Sequence, residues 1–373
     1  MKTLDSIDVT NKRVLLRIDI NSEIIDGKVQ DSPRFVEHSK TINELKRRKA
    51  KVVILAHQSR PGKKDFTSLK QHAKILNRYS NVKFVDDIIG KKALNEIKQL
   101  KSGDALLLDN VRKLKEEFNP GNNKFVKTLS KEFDFFVNDA FSICHRNQTS
   151  IVSFPKVLRS VIGRSIEKEL KMLDKLKLKT RNLVYILGGN KPDDVILLIN
   201  NKNVLTTGTI SLILLKSRGY NLGKEENALK KDLKFIDVLK KYKNVKVPID
   251  LAVNKNNNRK EILIKELPSN YLILDIGEKT VEAYKKEIEN ADAVFFKGVA
   301  GYTQDKNFQY GTRELLKAIA KSKAFSVVAG GSSSGAIEKF KLGKQNFGHV
   351  SLSGGALVYY LAGKKLLGLE VLK

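Results

Sequence analysis

Short apolar runs, each of strand length and rich in β-branched or aliphatic residues, recur along the chain with helix-length amphipathic stretches between them. They fall at 14–20, 52–57, 105–109, 135–138, 183–187, 203–207, 246–249, 271–274, 293–296, 325–329 and 350–352. Runs of this length with little alternation predict strands buried on both faces, and their alternation with helices predicts a parallel α/β fold. Five lie before residue 165 or just after it and six follow, which suits two doubly wound sheets better than one very large one. Between the two sets, SIEKELKMLDKLKLK (165–179) carries Ile166, Leu170, Leu173 and Leu176 at spacings of three and four, the stripe of an amphipathic helix. It holds neither Gly nor Pro and so predicts a stiff hinge helix, unlike a flexible tether. The expected organisation is a first domain over 1–165, an interdomain helix over 166–180 and a second domain over 181–360. The stretch NKNNNRK (254–260) reads as an exposed polar loop.

Composition changes this picture little. At 373 residues, 41% of them hydrophobic and 30% charged, the chain supports two ordinary cores and a solvated surface. The lone Cys144 excludes an internal disulfide framework and fits a reducing compartment. The start MKTLDSIDVTNKR is polar throughout, unlike a signal peptide, and no apolar run approaches the roughly 20 residues of a membrane-spanning helix. A cytoplasmic protein without membrane contact is expected. The formal charge of +29 raises the question of nucleic acid. The basic residues, as at Lys230-Lys231 and Lys364-Lys365, are spread along the chain without any nucleic-acid module beside them. A solvated surface therefore outweighs specific nucleic-acid binding, with weak salt-sensitive adhesion to polyanions still expected.

In a doubly wound sheet ligands sit beyond the carboxyl ends of the strands, and there the first half of the chain places unusual chemistry. Arg17, Asp19 and Asn21 follow the first run, His57 and Arg60 the second, and Asp109, Asn110 and Arg112 the third. Asn138, Asp139, His145 and Arg146 follow the fourth. A lone arginine after a strand is ordinarily a surface or salt-bridged residue. Four strands ending this way, together with Arg34, point to a polyanion, because guanidinium forks bind phosphate and carboxylate with paired hydrogen bonds.

The residues also spell an ordered series. RIDIN (17–21), DSPR (31–34), AHQSRP (56–61), LLLDNVR (106–112) and NDAFSICHR (138–146) resemble motifs of the phosphoglycerate kinases. So do YILGGNKPDD (185–194), PIDLAV (248–253), LDIGEKT (274–280), KGVAGYTQ (297–304), VVAGGSSS (327–334) and HVSLSGGA (349–356). The series runs in order from about residue 12 to the end, and its short loops and KPDD variant resemble the archaeal branch. The resemblance implies that the first domain binds 3-phosphoglycerate and the second ATP or ADP with Mg²⁺. A hinge then closes so that a phosphoryl group passes between them, and the 361–373 tail returns to the first domain. It assigns Asp19, Asn21, Arg34, His57, Gln58, Ser59, Arg60, Arg112 and Arg146 to the acid. Gln58 and Ser59, which replace the usual Leu-Gly, are expected to contribute mainly backbone. Arg34 and Lys191 match the residues flanking the transferring group, with a helix expected to begin around Pro192. Ser353, Gly354 and Gly355 match the cap over the transferring phosphoryl, although one Gly of that motif is Ser353.

The nucleotide half departs from the family pattern. Lys191, Gly208, Lys297, Gln304, Gly330, Gly331, Ser332 and Ser333 occupy the nucleotide-binding positions. Yet Val195 stands where many relatives carry a second lysine, Gln304 where a glutamate binds the ribose, and Ser332 where an aspartate meets the Mg-nucleotide. Lys297 replaces an asparagine, and its cation is expected to restore lost charge. Mg²⁺ keeps several waters and leans on nucleotide phosphates, so Ser332 need only act through water. The alternative reading is a nucleotide-impaired homologue that binds an anion or a nucleic acid without turnover. Cys144 beside His145 mimics a thiol pair, but adjacent residues seldom face each other. His349 reads as structural, and the five histidines show no metal-ligand spacing.

Overall fold

The computed structural model describes residues 1–178 and 181–373, with Asp194 described by its backbone. The chain forms two units, Met1–Lys171 with Lys364–Lys373, and Met172–Gly363. Helix Arg164–Leu178 carries the chain from one to the other, and positions 179–180 of the expected interdomain helix lie outside the described residues. The segment Lys364–Lys373 belongs to the first unit, where the Gly368 N–H donates to the Cys144 carbonyl at 2.8 Å. No helix among the described residues is long and apolar enough to cross a membrane.

The first unit contains strands β1 (Arg13–Arg17), β2 (Ile24–Ile25), β3 (Lys28–Val29), β4 (Lys51–Leu55), β5 (Lys83–Phe84), β6 (Ala105–Leu107), β7 (Phe135–Asn138) and β8 (Arg159–Ile162). Six of them form a parallel sheet in the order β5-β6-β4-β1-β7-β8, while β2 and β3 form a separate two-stranded ribbon. Successive side chains of a strand face opposite ways. Val14, Leu16, Val52 and Ile54 therefore pack against Phe35, Ile42 and Leu45 of helix Pro33–Arg47. Leu15, Val53 and Phe136 pack on the other face with Ile97, Phe125 and Phe154. From β1 the order runs one way through β4 and β6 and the other way through β7, so the switch point lies beyond the end of β1.

The second unit contains β9 (Leu183–Leu187), β10 (Val204–Thr206), β11 (Asp250–Lys255), β12 (Asn258–Leu263), β13 (Ile273–Ile276), β14 (Ala293–Lys297), β15 (Phe325–Ala329) and β16 (His349–Ser351). Its parallel sheet has the order β10-β9-β14-β15-β16 and switches between β9 and β14. Both domains are thus doubly wound. Three expectations fail here. The 246–249 run contributes only a bridge from Lys246 to Leu205. The 271–274 run leads into β13, which pairs antiparallel with β11 in a separate sheet ordered β12-β11-β13. The polar stretch at 254–260 is a hairpin, not a loop: Asn256 and Asn257 turn at φ 53° and 62° between Lys255 and Asn258. Asparagine tolerates this left-handed pair, which sets the twist of a two-residue hairpin. Strand β12 escaped notice because it is an edge strand with most of its side chains in water.

Candidate functional site

At the switch point of the first unit, buried charges hold one another in place. Asp19 accepts hydrogen bonds from Arg34 Nη1 and the Ser142 hydroxyl. Burial raises the Asp19 pKa, but Arg34, helped by the Ser142 hydroxyl, outweighs it and holds the carboxyl well below the usual range. Arg17, fully buried, donates through Nε to Ser150 Oγ at 2.8 Å and through Nη2 to His57 Nδ1 at 3.2 Å. The Ser150 hydroxyl in turn donates to buried Glu117 at 2.7 Å. A guanidinium only donates, so His57 Nδ1 is the acceptor and the ring proton sits on Nε2. Burial lowers the His57 pKa well below its ordinary value, and Arg17, Arg112 and Arg146 reinforce the shift, keeping the ring neutral.

The remaining cations crowd together. Arg112 donates to the Ser59 carbonyl and to Gln148 Oε1 at 3.3 Å. Its pKa is pushed down to about 9 by burial and by Arg17 and Arg146. Burial and Arg60 likewise lower Arg146, while Arg60 itself is exposed. The Nε atoms of Arg112 and Arg146 are buried with no hydrogen-bond partner among the described residues. Like charges held this close, with donors unmatched, are what an anion would relieve.

Gln58 is corrected by the structure. It is fully buried, and its side chain accepts from Ser22 N–H at 3.0 Å and donates to the Ser22 and Asp65 carbonyls. His72 Nε2 lies 2.9 Å from its oxygen. Gln58 therefore fastens the loop with its side chain instead of contributing mainly backbone. Ser59 sits at φ 53°, in the left-handed region, held by Asn21 Oδ1 accepting its N–H at 2.7 Å. Asn21 thereby spends its carbonyl oxygen inside the protein. Cys144 is buried with its thiol pushed up to about 12 by desolvation, which removes it as a nucleophile.

In the second unit, backbone makes the site. A cavity of about 410 Å³ lies beyond the ends of β9 and β14. Gly188 N–H donates to the Lys297 carbonyl and Gly189 N–H to the Val299 carbonyl, both at 2.8 Å. A Cβ on Gly298, at φ 88°, would stand 2.2 Å from the Gly188 carbonyl, so only glycine lets these turns meet. Lys191, Gly208, Lys297, Gln304, Gly330, Gly331, Ser332 and Ser333 all line this cavity. Helix Gly331–Lys339 opens there, presenting unbonded N–H groups and the positive end of its dipole. Ser333 Oγ accepts the Gly298 N–H at 3.0 Å, so its hydroxyl joins the two loops.

Lys297, at the end of β14, packs between Gly330 and Gly354. A Cβ on Gly330 would lie 3.6 Å from its Nζ and one on Gly354 2.9 Å from its Cε. Ser353, Gly354 and Gly355 start helix Gly354–Leu361 on the far side of that lysine. Val195 is fully buried, so that position offers the cavity nothing. The helix expected at Pro192 is two 3₁₀ turns, Pro192–Asp194 and Ile196–Leu198. Lys191 precedes them, exposed at the rim. Beside the start of helix Gly331–Lys339 the lining shows the Ser332 hydroxyl, while the lining carboxylates Glu225 and Asp275 are engaged by the Ile273 N–H and by Arg259 with the Gly311 N–H. That set fits a Mg²⁺ held chiefly by phosphate oxygens and water. Leu212, Leu251, Ile273 and Glu225 also line the cavity, and the sequence reading assigned them no role. They come from separate elements with no motif linking them.

A family model described as phosphoglycerate kinase matches residues 4–364. The chain is similar to the phosphoglycerate kinase of Methanothermus fervidus, at 40% identity over all of this chain and 96% of that protein. It is 38% identical to that of Archaeoglobus fulgidus over the same shares. A crystal structure of phosphoglycerate kinase from Pyrococcus horikoshii OT3 superposes with a TM-score of 0.93 at 34% identity, covering 100% of this chain and 98% of that one. One from Coxiella burnetii does so at 0.81 and 30%, with the same coverage.

Proposed function

The chain belongs to the phosphoglycerate kinase family, and from that premise we propose that its two sites divide the family's substrates between them. The reaction is the reversible, ATP-dependent transfer of a phosphoryl group between ATP and 3-phosphoglycerate, giving 1,3-bisphosphoglycerate and ADP. The first unit takes the acid: Arg60, Arg112 and Arg146 bind its charged ends, and neutral His57 donates from Nε2. Asp19 and Asn21 orient the hydroxyl side. The second unit takes the nucleotide, with its phosphates on the glycine turns, Lys297 and the Gly331–Lys339 helix. Mg²⁺, when bound with the nucleotide, neutralises phosphate charge, with Ser332 touching it through water. Phosphoryl transfer asks the protein for alignment and neutralisation more than covalent chemistry. Arg34 supplies this on the acid's side, Lys191 on the nucleotide's, and Gly354–Gly355 with Ser353 cover the moving group. A cytoplasmic location fits these soluble metabolites.

The observation that carries this reading is the single cavity lined by all eight residues expected for the nucleotide. A coupled assay with 3-phosphoglycerate, ATP and Mg²⁺ tests it, and saturable turnover in both substrates is expected. Absence of any saturable ATP or ADP binding would remove the kinase activity and leave an anion-binding protein of this fold.

A further inference from the structure

The cavity of the second unit has two chemically different ends. Glycine turns, Lys191, Lys297 and a helix N-terminus make one end fit for phosphates. At the other, Leu212, Leu251 and Ile273 form an apolar wall suited to a flat heterocycle, and two carboxyl groups line the cavity: Asp275, already held by Arg259 and the Gly311 N–H, and Glu225. Glu225 is only 7% exposed. Its Oε2 accepts the Ile273 N–H at 2.9 Å, while its Oε1 has no hydrogen-bond or ionic partner among the described residues.

The residue is held firmly from both sides. Glu226 accepts from Lys216 Nζ at 2.7 Å and from the Leu222 N–H at 3.0 Å. Gly223, at φ 68°, packs so closely on Ser269 that a Cβ would come within 2.2 Å of its carbonyl oxygen. These contacts fix the backbone that carries Glu225, and the Ile273 N–H fixes its carboxylate. Burial raises its pKa, with the Ile273 N–H pulling the other way. A half-matched carboxyl in an apolar wall costs stability unless a donor meets it. No protein group supplies that donor, so Oε1 faces the cavity ready to meet water or a ligand.

We propose that Glu225 selects the base of the nucleotide, its Oε1 accepting a hydrogen bond from the exocyclic amine of a 6-aminopurine. This rests on the reading of the cavity as the nucleotide site. A 6-oxopurine turns a carbonyl oxygen towards the same carboxyl oxygen, acceptor against acceptor, and is rejected.

The test compares ATP, ITP and purine riboside triphosphate, which lacks any 6-substituent, on wild-type protein, Glu225→Gln and Glu225→Ala. Binding by calorimetry and KM in the coupled assay are both read. Wild-type protein should prefer ATP over each analogue by about tenfold, the scale of one hydrogen bond in a partly open site. In Glu225→Gln the side-chain carbonyl still serves the Ile273 N–H, and the amide NH₂ now faces the base. The ATP preference over ITP should therefore vanish or invert, an outcome that a purely structural role would not produce. Glu225→Ala should bind all three alike, and the KM for 3-phosphoglycerate should hold in both variants. Wild-type protein that takes ITP as well as ATP, or a Glu225→Gln variant that keeps the ATP preference, overturns the proposal. If wild-type protein binds none of the three, the nucleotide reading itself has failed, and the calorimetry separates that result from a lost preference.

Discussion

In the first unit the groups gathered at the switch point are side chains: Arg17, Arg34 and His57, tied to Asp19, Ser150 and Glu117 in a largely buried network, with Arg146 close enough to Arg112 to depress its pKa. In the second unit they are mostly backbone: the turns at Gly188–Gly189 and Gly298, and the opening of helix Gly331–Lys339, joined by two lysines. A buried guanidinium cannot be exchanged without stranding its partners, as Arg17 would strand Ser150 and His57. A backbone N–H is indifferent to the side chain above it, so residues such as Ser332 and Gln304 can stand in this lining while the cradle persists. The glycines that allow the close approach, such as Gly188 and Gly298, admit no Cβ.

The comparison breaks most visibly at Arg146. Arg146→Ala should weaken 3-phosphoglycerate binding by about 2–4 kcal/mol by calorimetry, the usual loss when one partner of a desolvated charged contact is removed. Unchanged affinity would place the acid elsewhere.

The side-chain site should also be the acid-labile one. Four of the five histidines lie in the first unit, and burial lowers the His72 pKa from 6.5 to about 4. A histidine whose folded pKa is depressed is neutral in the native state, while the unfolded chain takes up the proton. Stability is then full above about pH 6.5 and falls as the pH drops towards 4. At 1.36 kcal/mol per unit the loss is about 3 kcal/mol. Urea unfolding followed by circular dichroism across this window should show His72→Gln with a flatter acid limb than wild-type protein. An unchanged limb would remove His72 from the acid response.

Within the backbone-built cavity, Lys191→Ala should cut turnover on the order of 100-fold, about 2.7 kcal/mol, with 3-phosphoglycerate binding retained. A variant that keeps most of its turnover would take Lys191 out of the mechanism. Lys297→Asn should raise the nucleotide KM about tenfold, near 1.4 kcal/mol, and leave the acid's affinity alone. The smallest effect belongs to Gln304→Glu, which should tighten ATP by about 1 kcal/mol through one ribose hydrogen bond. A larger gain there would mean that side chains matter more to this cavity than the contrast allows.

The sequence by itself determined the two parallel sheets, because strands buried on both faces are apolar almost throughout, as 183–187 and 293–296 are. It also determined which residues end those strands, and so which cations stand at the rims. It did not reveal β12, whose side chains are mostly in water and follow no period, although its Asn256-Asn257 turn was a legible signal. Nor did it reveal that Gln58 fastens a loop or that Val195 faces the core, since a residue's type does not say which way its side chain points. Arg17 on His57, and Glu225 against the N–H of Ile273, were decided by tertiary structure alone. Each contact joins segments about 40 residues or more apart, and hydrogen bonding depends on distances of a few tenths of an ångström that no local pattern encodes.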